Sequence, residues 1–144
     1  MTLHHPTSTV RLQLTRAHAE RCRHCGRPLT NPGTVIPFVG VVGPECRSKF
    51  AHLIALVAEV EMLSFNIDDQ GSQRLAHTIW SRMCGLGFIV TKHADTVKRT
   101  LWLEVDSRKV SRKGAEIVKR WETVRAEFEQ QLKLAQAERD GAAA

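Results

Sequence analysis

The 144 residues predict a single α+β protein. Apolar residues recur at helical spacing over residues 46–64 and again over 72–84, which is the pattern of helices that bury one face. Over residues 88–105 the apolar period changes to two, which predicts a β-hairpin. Helical spacing returns over residues 112–137. Two helices, a hairpin and a long C-terminal helix therefore follow one another.

The N-terminal third predicts short strands. Apolar and polar residues alternate over residues 10–14, which indicates a half-buried strand. Residues 35–42 are apolar and β-branched, but Pro37 and Gly40 interrupt them. Because proline cannot donate a hydrogen bond to a neighbouring strand, this run predicts a short edge strand or a hairpin.

The first two helices carry recognisable terminal residues. Pro44 suits the first turn of the central helix, where an amide proton is not needed. Asp69 or Ser72 can cap the second helix, because a short polar side chain accepts from the free amides of a first turn. Gly85 is expected to end that helix, since glycine commonly follows the last helical residue.

The C-terminal helix carries an apolar seam. Ser111 is its expected cap. The seam residues follow 4-3-4 spacing; they are Ile117, Trp121, Val124, Phe128 and either Gln131 or Leu132. Two heptads are too few to require a coiled coil. We therefore expect the first half of the helix to pack on the hairpin and the remainder to project.

Composition indicates a folded protein of the cytoplasm. Hydrophobic residues make up 42% and charged residues 25% of the chain. No apolar run approaches the roughly 20 residues that span a bilayer. The first residues lack the basic-then-apolar layout of a signal peptide. The four cysteines are then expected to be reduced or metal-bound.

The net charge of +6 is concentrated in two blocks. Residues 1–50 carry seven basic residues against two acidic ones, a net of +5, and residues 107–125 carry the same balance. The segments between and after them are each net negative. Such blocks attract phosphate backbones or acidic protein surfaces, although solubility is an alternative explanation.

Three of the cysteines have the spacing of a zinc knuckle. Cys22 and Cys25 are separated by two residues, so both can bind one metal from a tight turn, which Gly26 facilitates. Cys46 follows Gly43 and Pro44 at a predicted helix start, where the helix dipole stabilises a thiolate. We therefore predict zinc in a structural role, with three cysteine ligands.

The fourth ligand stays open at the level of sequence. Lys49 stands where a second helix ligand is expected, and His52 falls on another side of the helix. The other candidates are His18, His24 and Cys84, none of which has the spacing of a ligand. Catalytic zinc is not favoured, because no His-Glu pair typical of zinc hydrolases or deaminases is near.

The residues around these cysteines also resemble a known module. The run from Cys22 to Leu29, followed by Gly43-Pro44-x-Cys46, resembles a short zinc-knuckle module of unknown function that occurs in phage and actinobacterial proteins. The resemblance covers residues 22–46. It implies a binding module and a phage or mobile-element origin, and it supplies no activity.

No enzyme motif is apparent. The sequence has no glycine-rich phosphate loop, no Gly-x-Ser-x-Gly and no His-Glu-x-x-His. The acidic pair Asp68 and Asp69 lies where a helix cap is needed, which explains it more simply than catalysis does. We therefore predict a protein that is not an enzyme, with a zinc-dependent enzyme as the least favoured alternative.

The preferred hypothesis is a phage-encoded regulator that binds host RNA polymerase or its promoter complex and alters transcription. The chain is similar in size and make-up to phage transcription regulators that bind RNA polymerase. The exposed seam around Trp121 is one expected contact surface. The expected partner-binding residues are Lys98, Arg99, Trp102, Arg108, Lys109, Arg112, Lys113, Lys119 and Arg120.

The alternative is direct, sequence-tolerant DNA binding. The order helix, helix, hairpin resembles the second half of a winged helix-turn-helix, in which residues 72–84 would be the recognition helix. Arg74 and Arg82 would then face a groove, and Lys92 would hold phosphate beside the hairpin tip.

The predicted organisation has two packed units. Residues 1–65 form the zinc-knuckle unit with the central helix, and residues 66–139 form the helix, hairpin and long helix. Residues 140–144 are expected to be a disordered tail.

Overall fold

The computed structural model describes residues 14–143, without the side chains of residue 107 and residues 139–143. It confirms the α+β class, with three helices and two small antiparallel sheets in the described part. The predicted strand at 10–14 lies almost wholly outside the described residues. The elements are β1 (Arg16–Ala17), β2 (Gly33–Ile36), β3 (Gly40–Val42), α1 (Pro44–Glu61), β4 (Phe65–Asn66), α2 (Gln70–Leu86), β5 (Phe88–Asp95), β6 (Thr100–Val110) and α3 (Gly114–Ala143).

The N-terminal sheet has the order β1-β2-β3. The run at 35–42 is a hairpin, the second of the two predicted possibilities: Val35 pairs with Val41 across a turn that contains Pro37. The proline thus lies where no ladder hydrogen bond is required. Gly40 has a φ of 118°, a conformation that disfavours other residues.

The second sheet has the order β4-β6-β5. The predicted hairpin is present but longer, because β5 continues to Asp95 and β6 to Val110. Asp95 organises the turn by accepting from the amides of Val97 and Lys98 at 2.9 and 3.0 Å. The short strand β4, which no sequence pattern predicted, adds to the free side of β6.

Helix α2 extends two residues beyond the predicted span of 72–84 at each end. The Asp69 side chain caps it by accepting from the Ser72 amide at 2.8 Å. The prediction that Gly85 ends the helix is wrong, since α2 continues to Leu86. Gly87 is the terminal glycine instead, with a φ of 121° that only glycine adopts readily.

Helix α3 begins and ends later than predicted. It starts at Gly114, and both the amide and the hydroxyl of Ser111 donate to the Gly87 carbonyl, at 2.7 and 3.3 Å. Ser111 therefore joins the start of α3 to the end of α2. The backbone of α3 continues to Ala143, while the predicted tail at 140–144 falls on residues whose side chains are not described.

The seam of α3 is buried, so the expectation of an exposed seam and a projecting second half is wrong. Trp121 is 6% exposed, Phe128 0% and Leu132 3%. Near the far end, Gln136 donates to Glu59 of α1. An apolar stripe of this length gains more by packing on α1 and α2 than by facing water.

One core connects the two predicted units. Buried residues form a continuous cluster from Cys22 in the knuckle to Ala135 in α3, and α1 supplies Phe50, Leu53 and Val60 to its interior. Among the described residues, no helix is long and apolar enough to cross a membrane.

Candidate metal centre and basic surface

The structure brings Cys22, Cys25 and Cys46 together. Their sulfur atoms all lie within 4.8 Å of one another, close enough to share a metal ion. The first two lie in a turn that closes when the Gly26 amide donates to the Cys22 carbonyl at 2.9 Å. Gly26 has a φ of 77°, which explains the glycine after the second cysteine. Cys46 lies in the first turn of α1.

The thiols of Cys22 and Cys46 differ in pKa because their surroundings differ. Burial opposes ionisation of Cys22, but hydrogen bonds from the backbones of Cys25, Gly43 and His24 outweigh it and lower the pKa of Cys22 to about 7. The Gly43 amide donates to Cys22 Sγ at 3.4 Å. Burial, followed by the neighbouring thiols, raises the pKa of Cys46 to about 12. The Cys22 thiol thus ionises readily, and a bound cation would stabilise any further thiolate in the cluster.

The cluster lies at the boundary between core and surface. Cys22 and Cys46 are 3% and 6% exposed, whereas Cys25 is exposed. A metal held by all three would tie the N-terminal turn to the start of α1. Arg27 and Glu45 join the same two segments by an ion pair of 3.1 Å, but at such exposure it adds little stability.

No fourth ligand joins the cluster from the described part of the chain. The His24 ring packs edge-on against Phe50, with ring centroids 4.9 Å apart. Cys84 is on α2, and burial raises the pKa of its thiol. The geometry therefore supports three sulfur ligands, and thiolates are the donors that zinc accepts readily in structural sites.

The predicted partner-binding residues lie on two surfaces. Around the hairpin tip, Lys98 is exposed, while Arg99 donates to Asp68 at 3.1 Å. Trp102 is 38% exposed on the outer face of β6, where it stacks on His93 at 5.3 Å. The tip therefore offers one aromatic ring and one exposed lysine.

The second surface runs from the end of β6 into α3. Arg108, Lys109, Lys113 and Lys119 are exposed. Glu116 partly neutralises this surface, since it pairs with Arg112 at 3.4 Å and with Arg120 at 3.7 Å. We call the residues 108–120 on this surface the basic face.

The residues predicted to contact DNA differ in how far other contacts engage them. Arg82 turns toward α3, where it pairs with Glu127 at 2.7 Å and donates to Gln131 at 2.7 Å. Lys92 lies 4.4 Å from the centre of the Trp80 ring, over which it forms a cation–π contact. Arg74 is exposed. The helix α2 therefore uses part of its expected recognition face for packing.

One feature had no signal in the sequence. A cavity of about 530 Å³ lies between the knuckle, the β2–β3 turn and the start of α3. Its lining includes Arg23 from the first basic block and Lys113 from the second. The two blocks are separated by more than fifty residues in the sequence, so only the fold reveals that they meet.

Comparisons with protein-family models, curated proteins and solved structures each find no match.

Proposed function

We propose that Cys22, Cys25 and Cys46 bind one zinc ion in a structural role, and that the protein is a non-enzymatic regulator which binds RNA polymerase. The observation that carries the zinc proposal is the convergence of three sulfurs within 4.8 Å. Two of the sulfurs belong to the core, so the ion would hold the knuckle against α1.

The regulatory proposal rests on the basic face and on the resemblance of residues 22–46 to a phage module. Five exposed cationic side chains on the basic face suit a polyanionic or acidic partner. Trp102 adds an exposed aromatic ring, a residue type enriched at interfaces. RNA polymerase in its promoter complex presents both acidic protein surface and nucleic acid.

Zinc content tests the first proposal. Purified protein should contain one equivalent of zinc, and the Cys22→Ser variant should lose most of it. Cys84→Ser is the matched control, because Cys84 lies outside the cluster and should keep the full equivalent. Less than about half an equivalent in the wild type would contradict a resident zinc ion.

Binding to purified bacterial RNA polymerase tests the second proposal. The double variant Lys109→Glu with Lys119→Glu reverses two exposed charges of the basic face and should weaken binding about tenfold or more. The single variant Lys133→Glu changes an exposed lysine of α3 outside that face and should bind as the wild type does. Failure of the wild type to bind the enzyme and to shift transcription in vitro would end the proposal.

Direct DNA binding remains the second candidate, favoured by the exposure of Arg74 and Lys98 on α2 and at the hairpin tip. A duplex of random sequence distinguishes it. A DNA-binding protein should retain the duplex without polymerase and lose it steeply as salt rises. Retention that requires polymerase and survives nuclease treatment would exclude this candidate.

A further inference from the structure

The cavity at the start of α3 is lined by cations and has no acidic lining residue in the described part of the chain. Arg23 and Lys113 are exposed at it. Arg112 also lines it, although its guanidinium group donates to the Gly85 carbonyl and pairs with Glu116. A concave site with one sign of charge concentrates ions of the opposite sign. The lining charge therefore selects an anion.

The N-terminus of α3 borders the same cavity. Gly114 and Ala115, the first residues of the 30-residue helix α3, are part of the lining. Hydrogen bonding within α3 begins with the amides of Glu116 and Ile117, which both donate to the Lys113 carbonyl. The two preceding amides have no acceptor within the helix, and the helix dipole adds positive potential at them.

Close packing explains why glycine begins the helix. A Cβ atom at Gly114 would lie 2.9 Å from Val39 Cγ2 and 3.2 Å from Phe50 Cζ. The absence of a side chain lets the backbone of α3 approach the wall formed by the β2–β3 turn. The first turn of α3 therefore lies close against this wall, at the edge of the cavity.

The ring of His24 also forms part of the cavity wall, and it packs edge-on against Phe50. Its Nδ1 has no accessible surface, so this nitrogen does not face the cavity. The cations and the N-terminus of α3 are therefore the features of the cavity that favour an anion.

We infer that this cavity is a binding site for a phosphate group, held by Arg23, Lys113 and the first amides of α3. The group could be a phosphodiester of nucleic acid or the phosphate of a small molecule. The inference goes beyond the proposed polymerase binding, and it uses residues other than Lys109 and Lys119, so either proposal can fail without the other.

Titration of the full-length, metal-loaded protein with inorganic phosphate tests the site. In two-dimensional amide NMR, the signals of Gly114 and Ala115 should shift and saturate. The double variant Arg23→Gln with Lys113→Gln should weaken phosphate binding at least about tenfold, because it removes both exposed cations. Arg23 and Lys113 are both exposed, so the double variant should retain the fold.

The matched control is Arg47→Gln with Lys133→Gln, which lowers the net charge equally at exposed sites outside the cavity. It should bind phosphate as the wild type does. If the two double variants weakened phosphate binding equally, the change in net charge alone would explain the effect, and the inference would be overturned. Shifts that do not saturate, or that spread over the surface, would also overturn it.

Two further probes identify the source of the phosphate. A short DNA duplex that displaces inorganic phosphate from the wild type, and binds the Arg23 and Lys113 double variant more weakly, would assign the site to a nucleic-acid backbone. A nucleoside triphosphate that displaces phosphate where the duplex does not would assign it to a small molecule.

Discussion

At the scale of single residues, Gly85 and Gly87 lie two positions apart, but only one of them has to be glycine. Gly85 lies inside α2, and nothing lies within 4 Å of a Cβ atom built on it. Gly87 has a φ of 121°, and its Cβ would lie 3.0 Å from Arg112 Cβ. The first glycine is therefore replaceable and the second is not.

We predict that alanine at these positions changes stability in opposite directions. Gly85→Ala should raise the free energy of unfolding by about 0.5–1 kcal/mol, because alanine is the better helix former. Gly87→Ala should lower it by about 1–3 kcal/mol, because the backbone there is strained for any side chain. Urea unfolding of both variants measures the difference, and equal shifts would contradict the assignment of Gly87 as the helix end.

Ser72 is fully buried, and its hydroxyl accepts from the Asn66 amide at 2.9 Å. Ser72→Ala should therefore lower the free energy of unfolding by about 1 kcal/mol, since the amide loses its acceptor. Ser81→Ala on the exposed side of the same helix should change it by less than about 0.5 kcal/mol. The same change at both sites would mean that the hydrogen bond does not stabilise the fold.

The cysteine thiols predict a pH dependence of zinc binding. Below about pH 7 both Cys22 and Cys46 hold protons in the metal-free protein, because their pKa values are about 7 and about 12. Binding then releases at least two protons, and the affinity should fall about 100-fold or more per pH unit as pH decreases. Above pH 7 the dependence should be shallower. Competition with a chelator across this range measures it, and a flat profile would contradict thiolate ligation.

At the scale of elements, the apolar stripe of α3 is evident in the sequence, but the surface that it covers is not. The structure buries Phe128 completely and leaves Leu134 62% exposed. Arg82 and Gln136 add polar contacts along the second half of the helix.

Truncation of α3 side chains tests this packing. Phe128→Ala should lower the free energy of unfolding by about 3–5 kcal/mol, because it leaves a cavity in the core. Leu134→Ala should cost less than about 0.5 kcal/mol. If the second half of α3 projected into solvent, both substitutions would have small effects, so denaturant unfolding of the pair distinguishes the two arrangements.

At the scale of the whole molecule, the candidate metal centre lies at one edge of a core that extends over all three helices. Removal of zinc by a chelator should therefore lower the melting temperature without unfolding α2, α3 and the long hairpin. Circular dichroism should show that most helical signal remains, while hydrogen exchange should increase in residues 22–46. Complete loss of helical signal would indicate that the metal is required for folding.

Much of the fold and part of the site could be predicted from the sequence. Local patterns determined the α+β class, the helical cores of α1 and α2, the hairpin, a cap at either Asp69 or Ser72 and the three cysteines that the structure brings together, because each depends on residues close in the chain. The zinc ion, the partner and the regulatory role remain predictions.

Only the tertiary structure determined the contacts between residues that are distant in the sequence. It placed the seam of α3 in the core, directed Arg82 to Glu127, and ended α2 at Gly87, where Ser111 meets it. It also joined the two basic blocks at one cavity. These outcomes depend on which surfaces pack together, and no periodicity or spacing within a single segment carries that information.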